Sequence, residues 1–330
     1  MDRAILLERW IAEQLPGEAF VLAPASADAS FRRYFRVSRS SQTLIVMDAP
    51  PPQEDCRPFV AVARLMADAG VHVPRVLAQD LDRGFLLLSD LGTTSYLEAL
   101  SSENADALFR DAIDTLLRWQ LASRPDTLPP YDEPLLRREL DLFPVWYLHR
   151  HLGIELDSVQ RNDLEAIFGL LVRNALAQPR VFVHRDYMPR NLMLSDPNPG
   201  VLDFQDAVFG PISYDVVSLF RDAFLSWDEA RVLDWAIRYW EKARAVHLPV
   251  PEDFADFYRE FEWMGLQRHL KVLGIFARIR YRDGKKGYLE DTPRFLGYVR
   301  ACCMRYEALA PLLDLLDRLE GRAATVGYSF

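Results

Sequence analysis

Up to about residue 90 the apolar positions of the chain keep changing period. Residues 3–14 repeat at helical spacing, whereas residues 20–24, 31–37 and 43–47 are short runs rich in β-branched and aromatic side chains, the composition of strands. Helical spacing returns at residues 58–69 and stops at Gly70, a residue suited to the left-handed position that closes a helix. Two more strand-like runs follow at 75–79 and 85–89, so the pattern predicts a helix and then β-β-β-α-β-β. From Thr94 onward long helical patterns dominate, as at 105–121 and 164–176, interrupted by proline-bearing loops between Pro125 and Pro134. Strands at one end and helices at the other predict an α+β chain of two lobes, a small antiparallel sheet in residues 1–90 and a mainly helical remainder in 91–330.

Composition narrows the function classes. Half of the 330 residues are hydrophobic, enough to fill two cores, and no segment is polar or repetitive enough to read as disordered. Cys56, Cys302 and Cys303 are odd in number and lack CxxC spacing, which argues against a disulfide framework or a zinc site and for a reducing compartment. Asp2, Arg3, Glu8, Arg9 and Glu13 break up the start of the chain, unlike a secretory leader, and no apolar run approaches the roughly 20 residues that cross a bilayer. A cytoplasmic monomer without membrane contact is expected. A net charge of -9 provides no electrostatic footprint for nucleic acid.

The decisive segment is residues 181–194, where His184, Arg185, Asp186 and Asn191 form H-R-D-x-x-x-x-N, followed by an apolar stretch that ends in Asp203 and Phe204. Phosphoryl transfer from a nucleotide needs a carboxylate to accept the proton of the attacking hydroxyl and oxygen ligands to hold Mg²⁺ against the phosphates. The spacing offers all three: Asp186 as base, and Asn191 and Asp203 as metal ligands. The apolar runs 181–183 and 192–194 are expected to flank the loop as a hairpin-like support. His184 reads as an anchor for the loop backbone, and Tyr214 with Asp215 as residues that fix it.

These motifs resemble the aminoglycoside phosphotransferase and choline kinase branch of the protein-kinase-like superfamily, over most of the chain. Longer strings, residues 27–37 (ADASFRRYFRV), 44–51 (LIVMDAPP), 202–207 (LDFQDA) with 210–215 (GPISYD), and 269–274 (HLKVLG), are similar to a narrower group, the bacterial anomeric kinases of N-acetylmuramate and N-acetylglucosamine that serve peptidoglycan recycling. The resemblance implies ATP, Mg²⁺ and phosphorylation of the C1 hydroxyl of these sugars. It places Ser30, Phe31 and Arg33 against the nucleotide and, where the lobes should join, Ser89, Asp90 and Leu91 at the adenine edge.

Two departures matter. The third strand of the superfamily usually carries a Lys paired with a Glu of the next helix, but residues 44–48 contain no Lys and residues 58–69 no Glu. Arg32, Arg33 and Arg36 are candidates to meet the phosphate charge, with strand alternation putting Arg32 and Arg36 on one face and Arg33 on the other. The turn at residues 25–30 also lacks the glycines of a usual nucleotide-covering loop.

Between Trp263 and Arg300 nine Lys or Arg stand against three acids, a local excess that would suit a sugar bearing a carboxylate and repel polycations. Gln205, Arg268 and Lys271 are the candidate substrate contacts. The competing readings are a kinase of the same fold acting on choline, homoserine or an aminoglycoside, and a nucleotide-binding pseudokinase that regulates a partner. ATP against GTP is left open.

Overall fold

The computed structural model describes residues 2–17, 19–26, 31–40, 42–285 and 287–319; Ser30 and Lys286, both used in the sequence reading, lie outside them. In chain order the elements are α1 (Arg3–Gln14), β1 (Val21–Ser26), β2 (Arg33–Ser38), β3 (Thr43–Asp48), α2 (Arg57–Asp68), β4 (Val76–Asp80), β5 (Phe85–Ser89), α3 (Tyr96–Ala99) and α4 (Ala105–Leu121). There follow α5 (Glu133–Leu140), a π-helical segment (Phe143–His151), α6 (Ser158–Ala177), β6 (Arg180–Val183), β7 (Leu192–Met193), β8 (Gly200–Val201) and β9 (Val208–Pro211). The rest is helical: α7 (Tyr214–Phe220), α8 (Glu229–Ala245), α9 (Phe254–Arg282), α10 (Thr292–Arg305) and α11 (Ala310–Leu319). The chain divides into two compact units, residues 1–122 with 189–207 and residues 123–188 with 208–330.

In the first unit the expected strand and helix order is found, and the five strands form one antiparallel sheet in the order β1-β2-β3-β5-β4. Alternation decides its faces. Val37, Leu44, Val46, Phe85 and Leu87 point to one side and pack beneath Leu7, Trp10 and Ile11 of α1, which is started by the Asp2 carboxylate accepting from the N–H of Ala4 at 3.1 Å. Each of these fully buried side chains contributes roughly 1.5–3 kcal/mol relative to exposure. Proline opens α2 and Gly70, at φ 74°, follows its end, as its position in the sequence predicts.

In the second unit α9 is the central helix: seventeen of its 29 residues are buried, so its surroundings are protein on nearly all sides. Gly274 lets it approach the π-helical segment backbone to backbone, since a Cβ there would fall 2.4 Å from the carbonyl carbon of Leu142. One expectation is corrected. The runs 181–183 and 192–194 do not support each other as a hairpin: β6 pairs with β9, and β7 with β8. β7 finds its antiparallel partner in β8 just along the chain, whereas β6 is paired over its whole length by the returning strand at residues 208–211. Among the described residues no helix is long and apolar enough to cross a membrane.

Candidate active site

In the second unit three consecutive backbone N–H groups after β6 are all engaged. His184 donates to Asp215 Oδ2 at 2.7 Å and Arg185 to Asp215 Oδ1 at 3.0 Å. The N–H of Asp186 donates to Nδ1 of His184 at 3.2 Å, which requires the tautomer whose Nδ1 carries no proton. Arg185 adopts a left-handed backbone at φ 77°, costly for a residue with a Cβ by about 1–3 kcal/mol, so these bonds hold a strained turn in place. Asp215 sits near the start of α7 and is fully buried. Burial pushes its carboxyl up to about 7, against the pull of the two backbone donors that favour the charged form. The anchoring roles expected of His184 and Asp215 are visible in these bonds.

In the first unit the β7–β8 pair brings the other two oxygen-bearing residues together. The backbone carbonyl of Asn191 accepts the N–H of Leu202 at 2.9 Å, which places the Asn191 amide Nδ2 3.5 Å from Asp203 Oδ2. Asp203 is itself left-handed, at φ 62°, a conformation that Asp tolerates better than most residues. Gln205 Nε2 donates to Asp203 Oδ1 at 2.9 Å, while Gln205 Oε1 is buried without a partner. Phe204 packs on Phe59 of α2 with ring centroids 4.8 Å apart, locking the segment to the unit's core. A carboxylate and an amide oxygen are hard donors of the kind that bind magnesium, so the residues present fit that ion.

The expected nucleotide residues are distributed as follows. Phe31 is largely exposed, and its N–H donates to Glu54 Oε1 at 3.2 Å. Arg33 pairs with buried Asp48, its Nε at 3.1 Å, and Asp48 also receives Arg3 of α1. Arg36 bonds Asp90 at 2.7 Å and the carbonyl of Gly92 at 2.9 Å. Ser89 Oγ accepts the N–H of Arg75 at 2.9 Å, and Leu91 is buried. Arg32 pairs with Glu54 at 2.9 Å and lies within electrostatic reach of Asp206. Glu54 stands in the loop before α2, outside the helix in which the sequence suggested looking for an acid.

Of the expected substrate contacts, Lys271 is buried, with Nζ 2.8 Å from Glu139 Oε1 and 2.9 Å from the Tyr214 hydroxyl. Arg268 is also buried, yet its Nη1 has no hydrogen-bond partner. Much of the basic excess on this stretch is spent internally, since Arg282, Arg294 and Arg300 pair with Asp283, Asp291 and Asp317. Glu139, the carboxylate that both Lys271 and Arg185 reach, was not singled out in the sequence, where it reads as one more acid in a polar helix.

Residues 21–250 match the model of a family described as "Phosphotransferase enzyme family". The chain belongs to that family. This phosphotransferase is 61% identical over 319 residues to a protein of Pseudomonas aeruginosa named N-acetylmuramate/N-acetylglucosamine kinase, covering 97% of this chain and 93% of the relative. It is 54% identical over 324 residues to a protein of the same name from Pseudomonas putida, covering 95% and 96%. Among solved structures, a choline/ethanolamine kinase family protein from Mesorhizobium loti superposes with a TM-score of 0.64 at 14% identity, over 95% of this chain and 100% of that one. That likeness shows the fold, which is the protein-kinase-like α+β architecture the sequence predicts.

Proposed function

We propose that this phosphotransferase transfers the γ-phosphoryl group of ATP to the anomeric C1 hydroxyl of N-acetylmuramate and N-acetylglucosamine. The observation that carries the substrate class is the 61% identity over nearly the whole chain with a relative named for those two sugars. In this reading the Asp186 carboxylate accepts the proton of the C1 hydroxyl as its oxygen attacks the γ-phosphorus. The bond from that phosphorus to the bridging oxygen breaks, and ADP leaves with the electron pair. The backbone bonds from residues 184 and 185 to Asp215 support the role of Asp186, because a base must be held in position to act at each turnover. Asn191 and Asp203 are the proposed magnesium ligands; when bound, the ion supplies positive charge against the phosphate oxygens.

Residues 1–90 are proposed as the nucleotide-binding lobe and 91–330 as the catalytic and sugar-binding lobe. Ser30, Phe31 and Arg33 belong to the nucleotide site, with Ser89, Asp90 and Leu91 at the adenine edge. Arg32 joins them in meeting phosphate charge. While Glu54 holds its Nε, Arg32 lies within electrostatic reach of Asp206, three residues past Asp203. Gln205 faces the sugar with its unpartnered Oε1. Arg268 meets the lactyl carboxylate that distinguishes N-acetylmuramate, a role supported by its buried, unpartnered Nη1. Lys271, whose ammonium is engaged by Glu139, contributes its field rather than a direct contact. The protein acts in the cytoplasm as a monomer and takes no nucleic acid.

The test is ATP consumption with each sugar, choline, homoserine and an aminoglycoside, with and without Mg²⁺, followed by ³¹P NMR of the product. A sugar 1-phosphate formed only with Mg²⁺ is expected. Turnover with a non-sugar alcohol alone, or phosphorylation at another hydroxyl, would overturn the substrate reading, and no turnover with any acceptor would overturn catalysis.

A further inference from the structure

Arg185 precedes Asp186 and holds a left-handed backbone, so the direction in which Asp186 leaves the chain depends on what keeps residue 185 there. Its N–H is bound by Asp215, as described above. Its side chain runs the other way. Nη2 donates to Glu139 Oε1 at 2.6 Å, and the guanidinium lies over the ring of Tyr131, 5.8 Å from its centroid.

Glu139, on α5, is 5% exposed and is met from four directions. Lys271 Nζ of α9 stands 2.8 Å from the same Oε1 that Arg185 reaches. On Oε2 the Tyr131 hydroxyl donates, and Gln267 Nε2 lies at 3.3 Å. Tyr131 is fixed in turn by its N–H donating to the carbonyl of Phe209 at 2.9 Å and by Gly210, where a Cβ would come within 2.6 Å of the Tyr131 Cβ. Lys271 also donates to the Tyr214 hydroxyl at 2.9 Å, and Tyr214 is the residue before Asp215. The carboxylate therefore links α5, α9, the start of α7 and the loop that carries Asp186. Burial works against its charge, but Lys271 and Arg185 outweigh that and bring its carboxyl down to about 2, so it remains an anion at any working pH.

From this arrangement we infer that Glu139 is a positioning residue for phosphoryl transfer, which acts by clamping the Arg185 side chain against Tyr131 and so fixing the direction of Asp186. The inference rests on Asp186 being the base. Two cations share one carboxylate, so the substitutions differ in consequence. Arg185→Met leaves Glu139 and Lys271 as a balanced pair, whereas Glu139→Gln leaves the buried Lys271 and the partly buried Arg185 facing a neutral amide.

The experiment compares Arg185→Met, Arg185→Lys, Glu139→Gln and the Glu139→Gln/Arg185→Met double variant in the full chain, reading kcat and KM for both substrates, ADP affinity by calorimetry, and Tm. A displaced base should lower kcat about 10–100-fold while KM and ADP affinity stay within about threefold. The double variant should be no slower than the slower single variant, because both changes release the same clamp. Arg185→Lys, which can still reach an acid, should recover part of kcat. If Arg185→Met keeps wild-type kcat whatever its Tm, the clamp is structural only and the inference fails. If the two losses multiply, the residues act separately and it fails as well. Should Glu139→Gln not fold, the Arg185 pair alone decides. Failure of the underlying reading looks different: an Asp186→Asn enzyme as active as wild type removes the base assignment, and the inference with it.

Discussion

Asp215 Oδ2 accepts the backbone N–H of His184 at 2.7 Å, and its other oxygen is taken by the N–H of Arg185, so both oxygens of one buried carboxylate hold the turn before Asp186. Burial keeps its proton bound up to about pH 7, while in the unfolded chain the proton leaves near 3.8. Between those values the folded state binds a proton that the unfolded state has lost. This group's contribution to stability is therefore complete below about 3.8 and declines as pH rises to about 7. Activity should move the other way, because a protonated carboxyl cannot accept both N–H groups equally well. The expectation is a kcat that falls below pH 7. Asp215→Asn offers one acceptor at every pH, so it should be slow at pH 8 and lack that limb; an Asp215→Asn profile identical to wild type would contradict the account.

Asp186 is only half-buried, so removing its charge should cost the fold little. Asp186→Asn should lower kcat by about 10²–10⁴-fold, the usual contribution of a general base, with Tm nearly unchanged. Asn191→Ala and Asp203→Ala should instead raise the Mg²⁺ concentration needed for half-maximal rate, and EDTA should abolish turnover reversibly. A Mg²⁺ titration separates the two classes of loss.

The strands of the first unit were legible because each is short, β-branched and bounded by turn residues, and H-R-D-x-x-x-x-N was legible because its chemistry is written at fixed spacing. Glu139, Glu54 and the true state of Lys271 were not. A helical Glu among arginines, as in α5, has the composition of a solvated face, and only the packing of α9 against it turns the residue into a buried ion-pair partner. The nine basic residues counted along residues 263–300 looked like one charged surface, but Arg268 and Lys271 are buried within α9, Lys271 against Glu139, while Arg282, Arg294 and Arg300 pair with Asp283, Asp291 and Asp317. The π-helical segment Phe143–His151 carries no local signal; it forms where the backbone of Leu142 meets Gly274 of α9, a contact between residues far apart in sequence.

That contact yields a paired stability prediction. A methyl group at 274 would lie within 2.5 Å of the carbonyl oxygen of Leu142, and backbone cannot swing aside as a side chain can. Gly274→Ala should cost about 1–3 kcal/mol or more and lower Tm by several degrees. Gly297, inside α10, has no atom within 4 Å of an added Cβ, so Gly297→Ala should be neutral or stabilise by roughly 0.5–1 kcal/mol through helix propensity. Thermal melts of the two variants side by side check the sign of each.

Arg32, Arg33 and Arg36 have distinct acid partners, Glu54, Asp48 and Asp90, and should separate functionally. If Arg32 meets nucleotide phosphate, Arg32→Ala should weaken ADP binding about tenfold or more, in the range of a lost charged hydrogen bond. Arg33→Ala, also at the proposed nucleotide site, should weaken ADP binding less and reduce stability more, because its partner is the buried Asp48, which is left with Arg3. Calorimetric ADP titration of each folded variant decides; equal losses for Arg32→Ala and Arg33→Ala would remove the distinction.

The last prediction concerns which sugar feels Arg268. N-acetylmuramate and N-acetylglucosamine differ by a lactyl ether, so they differ by one negative charge and by bulk at the same carbon. A buried guanidinium nitrogen without a partner costs free energy in the empty protein, and a substrate carboxylate that reached it would recover that cost. Arg268→Met should then raise KM for N-acetylmuramate about tenfold or more while KM for N-acetylglucosamine changes little. Bulk can be separated from charge without any substitution, by giving the wild-type protein the neutral 3-O-methyl ether of N-acetylglucosamine. If the carboxylate is what Arg268 reads, the methyl ether should behave like N-acetylglucosamine and gain nothing in KM from the arginine. A wild-type enzyme that treats all three sugars alike, or an Arg268→Met variant that loses both natural sugars equally, would return Arg268 to a purely internal role beside Asp215 and Asp222, the two buried carboxylates whose charge it offsets.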